Sequence, residues 1–90
     1  MLKQTVNFLI ETPMTKNEFI NLSVKLYDKG IYIVPVIPNK VSFFSIDKDD
    51  LLEKFGLTKY SPCHVVDKLM EIFTDLNIEI DETDISMNLA

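Results

Sequence analysis

A segment marked as a helix at both of its ends constrains this chain more than any other feature. Thr15 and Glu18 have the spacing of a capping box, in which the Thr hydroxyl accepts from a helix N–H and the Glu side chain reaches back. Gly30 follows the segment, where a left-handed helix cap is expected. From about Lys16 to Lys29, one broad arc is apolar and consists of Phe19, Ile20, Leu22, Val24, Leu26 and Tyr27. The pattern predicts an amphipathic helix that packs this arc against another layer of structure.

Segments typical of β-strands lie on both sides of this helix. Thr5 to Glu11 alternates apolar and polar side chains and predicts the first strand. Ile31 to Ile37 predicts the second strand, and Pro35 favours an edge position because proline cannot donate to a ladder. The turn at Pro38-Asn39 then leads into a third strand, Val41 to Ile46, which returns as a hairpin.

The second half of the chain contains two further helix starts. Asp47 can cap a short helix over Lys48 to Phe55, which Gly56 closes. Ser61 followed by Pro62 favours a longer helix that runs to about Leu76.

Two candidate strands follow that longer helix. Ile78 to Asp81 predicts the fourth strand, and the alternation of Ile85, Met87 and Leu89 predicts either a fifth strand or a frayed end. The resulting order is βαββαβ, with an additional C-terminal strand as an option. We therefore expect residues 1–90 to form a single α+β domain with a ferredoxin-like arrangement, in which the two main helices cover one face of an antiparallel sheet.

Several kinds of chemistry are disfavoured by composition. All nine basic residues are Lys, so the planar fork that Arg offers to phosphates and carboxylates is missing. Acylphosphatases share this size and topology but depend on such an Arg, which excludes their activity. Gly30 and Gly56 are the only glycines, so no glycine-rich phosphate loop exists. The sequence thus predicts neither a nucleotide-binding fingerprint nor a cofactor.

A catalytic or metal site is also not expected. Cys63 and His64 are adjacent, but neighbours on a helix point about 100° apart, and Cys63 is expected in the core as a small hydrophobe. The acids Asp47, Asp49 and Asp50 resemble the start of a calcium-binding loop. Leucines occupy the next two positions, however, where such a loop requires a ligand and a Gly. We expect those acids to complement the helix dipole, and we predict a protein that is not an enzyme and binds no metal.

The N-terminal segment lacks the charged, apolar and cleavage regions of a signal peptide, and no apolar run is long enough to span a membrane. A single cysteine cannot form an intrachain disulfide, on which small secreted domains usually rely. We expect a cytoplasmic protein without membrane contact.

Two families offer partial resemblances. The segment Val6 to Ile33 is similar to ACT regulatory domains in its order of strand, loop with Pro13, helix and Gly-Ile entry into the next strand. ACT domains usually have Gly after that Pro, where this chain has Met14, and the similarity covers about a third of the chain. The resemblance implies a regulatory domain that senses a small ligand, which is the alternative function.

The strand and helix order also resembles the RNA-recognition motif, which stacks bases on aromatic side chains of its first and third strands. Phe8, Phe43 and Phe44 would be those aromatics. The segment Lys40 to Phe44 lacks the glycine and basic spacing of that family, and a net charge of −5 repels nucleic acid. Direct binding of nucleic acid is therefore disfavoured.

Charge divides the chain into two unlike halves. Residues 1–45 carry a balance of +2, and residues 46–90 carry a balance of −7. Seven acids continue from the polar face of the longer helix into the following segment: Asp67, Glu71, Asp75, Glu79, Asp81, Glu82 and Asp84. They form either a solubilising face or a surface that docks on a protein rich in Lys and Arg.

A second candidate interface is apolar. The second and third strands are apolar on both faces, so Tyr32, Val34, Val36 and Phe44 would face away from the helices. A patch of that size needs cover from the C-terminal tail, from a second copy in a homodimer, or from a partner.

These features favour a non-catalytic protein-interaction domain. A small acidic domain with this composition resembles inhibitors and regulators that phages and mobile elements encode. The specific prediction is an inhibitor or regulator that docks on a basic protein surface.

Overall fold

The computed structural model describes residues 4–90; Met1 to Lys3, part of the stretch considered for a signal peptide, lie outside them. The elements follow in the order β1 (Thr5–Ile10), α1 (Lys16–Tyr27), β2 (Val34–Ile37), β3 (Val41–Asp47), α2 (Lys48–Phe55), α3 (Pro62–Asp75), a single 3₁₀ turn (Glu82–Asp84) and β4 (Ile85–Leu89). This confirms an α+β domain with one sheet and three helices. Within the described residues, no helix is long and apolar enough to cross a membrane.

The four strands form one antiparallel sheet in the order β2-β3-β1-β4. Strand β1 lies inside the sheet, paired with β3 on one side and with β4 on the other. Strand β2 has a free edge, as Pro35 predicts, and its pairing with β3 is irregular between Pro35 and Ile37. The sheet therefore ends at β2 on one side and at β4 on the other.

The core lies on one face of this sheet. In β1 the side chains of Val6, Phe8 and Ile10 are completely buried, and the residues between them are only half-buried. All three helices contribute to the same hydrophobic cluster through Leu22, Leu26, Leu51, Phe55, Val65, Leu69, Ile72 and Phe73. Because alternate strand residues point to opposite faces, this burial shows that the helices cover one face and leave the other open.

The centre of the core is an aromatic pair. Phe8 and Phe44 are directly opposite in the β1–β3 ladder, and their rings stack with centroids 4.4 Å apart and planes 13° from parallel. Phe44 is 1% exposed, so its predicted place in an interface on the open face is wrong. Its neighbour Phe43 takes that face, because successive strand residues alternate.

The predicted helix starts are confirmed, but Ser61 precedes Pro62 at the start of α3 without a capping hydrogen bond from its side chain. The apolar arc of α1 is only partly buried. Thr15 accepts from the Glu18 N–H at 3.1 Å while the Glu18 carboxylate accepts from the Thr15 N–H at 2.8 Å, so the capping box is complete. Of the predicted apolar arc of α1, only two residues are buried, Leu22 and Leu26. Phe19 is half-buried, whereas Ile20, Val24 and Tyr27 are exposed.

The predicted fourth strand is wrong, and the C-terminal tail takes its place. The Ile78 N–H donates to the Phe73 carbonyl at 2.9 Å, which ties this residue to the end of α3 instead of to a ladder. Residues 78–81 continue without strand pairing, and residues 85–89 pair with β1. Both segments alternate apolar residues toward the core, so alternation by itself did not distinguish them.

Replacing Phe44 by Ala should lower the free energy of unfolding by about 3–5 kcal/mol, because it removes a buried ring and leaves a cavity beside Phe8. Phe43→Ala is the matched control, on the open face one residue away, and should cost about 1 kcal/mol or less. Urea unfolding followed by far-UV circular dichroism measures both. Equal losses would contradict the assignment of the two faces.

Candidate interaction surfaces

All seven predicted acids border three adjoining depressions. Glu79, Asp81 and Asp84 line an open groove of about 1000 Å³. Asp67, Glu71 and Asp75 line the next depression, which shares Met70 and Thr74 with the groove. Asp67 and Glu82 line the third. Of the described residues, no lysine lines any of the three. We refer to these seven residues as the acidic surface.

Helical spacing and a tight turn together form the acidic surface. Asp67, Glu71 and Asp75 recur every four residues, so they lie along one exposed face of α3. The chain leaves α3 through Asn77, whose φ of 57° is left-handed and turns the next segment back. Residues 79–84 thereby run beside the helix that carries the first three acids.

One side-chain hydrogen bond and one backbone hydrogen bond hold the end of the acidic surface. The Thr12 hydroxyl, which is buried, donates to an Asp84 carboxylate oxygen at 2.7 Å, and the Glu11 N–H donates to the Asp84 carbonyl at 2.9 Å. These contacts attach the 3₁₀ turn to the loop after β1. Asp84 is therefore a fixed part of the surface instead of a freely moving tail.

Asp81 organises the start of the same turn. Its carboxylate accepts from the Thr83 backbone N–H and from the Thr83 hydroxyl, each at 2.9 Å. These bonds favour the ionised form, the backbone bond most, and hold the pKa of Asp81 below its ordinary value.

A cluster of four lysines, which sequence reasoning missed, lies on the other flank of α3. Lys25 from α1, Lys29 from the turn after α1, Lys54 from α2 and Lys68 from α3 line one depression together with Glu71 and Asp75. Lys68 Nζ lies 3.8 Å from a carboxylate oxygen of Glu71. Glu71 and Asp75 therefore stand between the lysine cluster and the other acids. Only the packing of three separate helices could reveal this cluster.

The second predicted surface is exposed in part, and further exposed apolar residues lie close to it in sequence. Tyr32, Val34 and Val36 are exposed as predicted, and Phe44 is not. The four further residues are Ile20, Val24, Tyr27 and Ile37. Sequence reasoning had placed the first three of these in the core.

The residues considered for chemistry are not brought together. Cys63 is exposed at the start of α3, so its expected place in the core is wrong. The first turn of α3 extends past the edge of the core, which begins at Val65. Asp47 caps α2, where its carboxylate accepts from the Asp50 N–H at 3.4 Å. In residues 4–90, no three His, Cys, Asp or Glu side chains are grouped to hold a metal ion.

The aromatic platform of an RNA-recognition motif is not formed. Phe8 and Phe44 stack on each other inside the core, where bases have no access. Phe43 is the one candidate on the open face. In the loop that resembles ACT domains, Met14 is buried in the core and Thr12 is bonded to Asp84, while Thr12 and Pro13 line the open groove. The ligand-sensing alternative stays a prediction.

Thr12→Val should lower the free energy of unfolding by about 1 kcal/mol, since it removes the hydroxyl that donates to Asp84 without changing the size of the side chain. Thr12→Ser keeps the hydroxyl and is the control. Chemical denaturation compares the two variants. A Val variant as stable as the wild type would show that the contact does not hold the turn.

The lowered pKa of Asp81 predicts a pH effect. The stability that the ionised Asp81 carboxylate adds to the folded state is fully present above the pKa that this group has in the unfolded chain. It is lost as the pH falls through the lower pKa that the group has in the folded state. Thr83→Ala removes one of the two donors and should raise the Asp81 pKa part of the way to its ordinary value. Carboxyl ¹³C chemical shifts recorded during an acid titration of the wild type and of the variant measure this. An unchanged Asp81 titration curve would contradict the prediction.

A scan against models of protein families, a search of curated proteins and a search of solved structures each found no match.

Proposed function

We propose that this chain is a non-catalytic protein-interaction domain whose acidic surface docks on a basic surface of another protein. The observation that carries the proposal is the convergence of seven acids on three adjoining depressions that no described lysine lines; of the seven, only Glu71 and Asp75 also border the lysine cluster. Such a field attracts a positively charged partner and accelerates the encounter.

Apolar side chains that lie between the seven acids provide hydrophobic contacts, which exposed charges alone do not provide. Exposed ion pairs contribute between 0 and about 1 kcal/mol each, so seven carboxylates on a wet surface do not by themselves give tight binding. Val66, Met70 and Ile80, all half-buried, line the same depressions. An apolar centre within a charged rim is the usual composition of a specific interface.

A role as inhibitor or regulator is part of the proposal. A basic protein surface that normally holds nucleic acid carries the charge that this surface would complement, and a bound acidic domain would occupy it. We also propose a cytoplasmic location, because an exposed and unpaired Cys63 thiol persists in a reducing compartment.

For the fold, we propose the ferredoxin-like arrangement. In the order β2-β3-β1-β4, strand β3 is antiparallel to both β1 and β2, so β1 and β2 run parallel and α1 crosses between them. This is the split βαβ unit of that fold. Helix α2 between β3 and α3 is an addition to it.

The test of the acidic surface is capture of a partner with matched charge variants. The tagged domain is incubated with nuclease-treated native lysate at low and at high salt, and bound proteins are quantified by mass spectrometry. One stoichiometric partner should bind at low salt and dissociate at high salt, because screening weakens exposed charges. The variant Asp67→Asn, Asp75→Asn, Glu79→Gln should lose about tenfold or more in affinity for it.

The control carries the same change in net charge away from this surface. Asp49→Asn, Asp50→Asn, Glu53→Gln alters three exposed acids of α2 and should bind the partner as the wild type does. Equal binding by the wild type and the first variant would refute docking through the acidic surface.

A further inference from the structure

The lysine cluster brings four of the nine lysines of this chain to one place. They line a depression of about 250 Å³ that lies between the three helices. Lys25 and Lys54 belong to the last turns of α1 and α2, and Lys68 lies in the middle of α3. Because the lysines come from separate elements, their ammonium groups border the depression on several sides.

The lining of this depression is positive in a chain that is negative as a whole. Its four lysines are accompanied by two acids, Glu71 and Asp75, which leaves a balance of +2 where the whole chain carries −5. Within residues 4–90, only Lys68 of the four has a carboxylate oxygen at ion-pair distance, that of Glu71 at 3.8 Å. Like charges gathered in this way repel one another, and a bound anion would remove the repulsion.

The depression holds two of its lysines in place. Lys29 is half-buried, and its Nζ lies 5.9 Å from the centre of the Phe55 ring, within the range of a cation–π contact. Lys68 is also half-buried and is paired with Glu71. Phe55 and Ile72 are buried core residues, so one wall of the depression is apolar. A wall of low dielectric strengthens the attraction between an ammonium group and an anion.

The chemistry of lysine favours a phosphate anion as the ligand. The planar fork that matches a carboxylate belongs to Arg, which this chain lacks, whereas Lys binds phosphate as a compact point charge. The oxygens of a phosphate group point in several directions, so ammonium groups on different sides of the depression can each contact one. The volume is below the range of about 300–1,000 Å³ that drug-sized ligands occupy, which indicates a compact anion.

The neighbouring acids disfavour a long polyanion at the same place. Glu71 and Asp75 line this depression and also the next one along α3, which Asp67 lines as well. A nucleic-acid strand that left the lysine cluster on this side would run along those carboxylates, which repel its backbone. A compact anion would stay within reach of the lysines and avoid this repulsion.

We propose that the lysine cluster is a binding site for a compact anion with several phosphate groups, of the class of pyrophosphate and triphosphate. Such an anion carries enough charge to contact more than one lysine at the same time. It would lie between α1, α2 and α3 and would link the three helices. This proposal does not depend on the acidic surface or on its partner.

The experiment is isothermal titration calorimetry of the full chain with sodium triphosphate, in a magnesium-free buffer of low ionic strength. One anion should bind per chain, and the affinity should rise from phosphate to pyrophosphate to triphosphate and fall with added salt. Citrate, a carboxylate anion of similar size, should bind more weakly than pyrophosphate. Backbone amide chemical shifts should change most around residues 25–29, 54 and 68, which locates the site without any substitution.

Matched charge variants test the lysines themselves. Lys29→Gln, Lys54→Gln removes two charges of the cluster and should weaken triphosphate binding about tenfold or more, because two charge-assisted contacts are lost. Lys40→Gln, Lys59→Gln removes the same charge from two exposed lysines outside the depression and should bind as the wild type does. Circular dichroism checks that both variants are folded.

Four results would overturn the proposal. The first is a wild type that does not bind triphosphate, and the second is equal weakening by the two double variants. The third is citrate that binds as tightly as pyrophosphate, because the site would then not select phosphate. The fourth is a single-stranded oligonucleotide that binds more tightly than triphosphate, because the ligand would then be an extended polyanion.

Discussion

The stacking of Phe8 on Phe44 is the contact on which the rest of the structure depends. It joins the two central strands at the middle of their register and fixes which face of each strand is buried. A slip of one residue between β1 and β3 would turn every side chain of the displaced strand to the other face. With that register set, Val6, Ile10 and Phe44 all present to the helices, and one core can include residues from α1, α2 and α3.

Because the helices pack on only one face of this small sheet, some apolar residues lie outside the core. Three helices cover the centre of the sheet, but the edge at β2 and the outer flank of α1 stay exposed. The same packing places α3 on the other side of α1, with the lysine cluster between the two helices. The lysine cluster therefore lies between α1 and the face of α3 that carries the acids.

Local sequence determined the elements whose signals are local. The capping box at Thr15 and Glu18, the Asp47 cap and the left-handed Gly30 and Gly56 all act within a few residues of their position, and each is present in the structure. The acidic surface was also predictable, because helical spacing and a short connection leave few arrangements for seven acids close in sequence. The edge position of β2 followed from the missing donor of Pro35.

The tertiary structure decided which of two similar segments pairs with the sheet and which of two similar side chains enters the core. Ile78 to Asp81 and residues 85–89 have the same alternation, and the cap of α3 removed the first from the ladder by using the Ile78 N–H. Phe43 and Phe44 are equally apolar, and only the pairing of Phe44 with Phe8 decided which one enters the core. Ile20, Val24 and Tyr27 belong to the apolar arc that the sequence predicts, yet they are turned away from the buried Leu22 and Leu26 side of α1 and stay exposed.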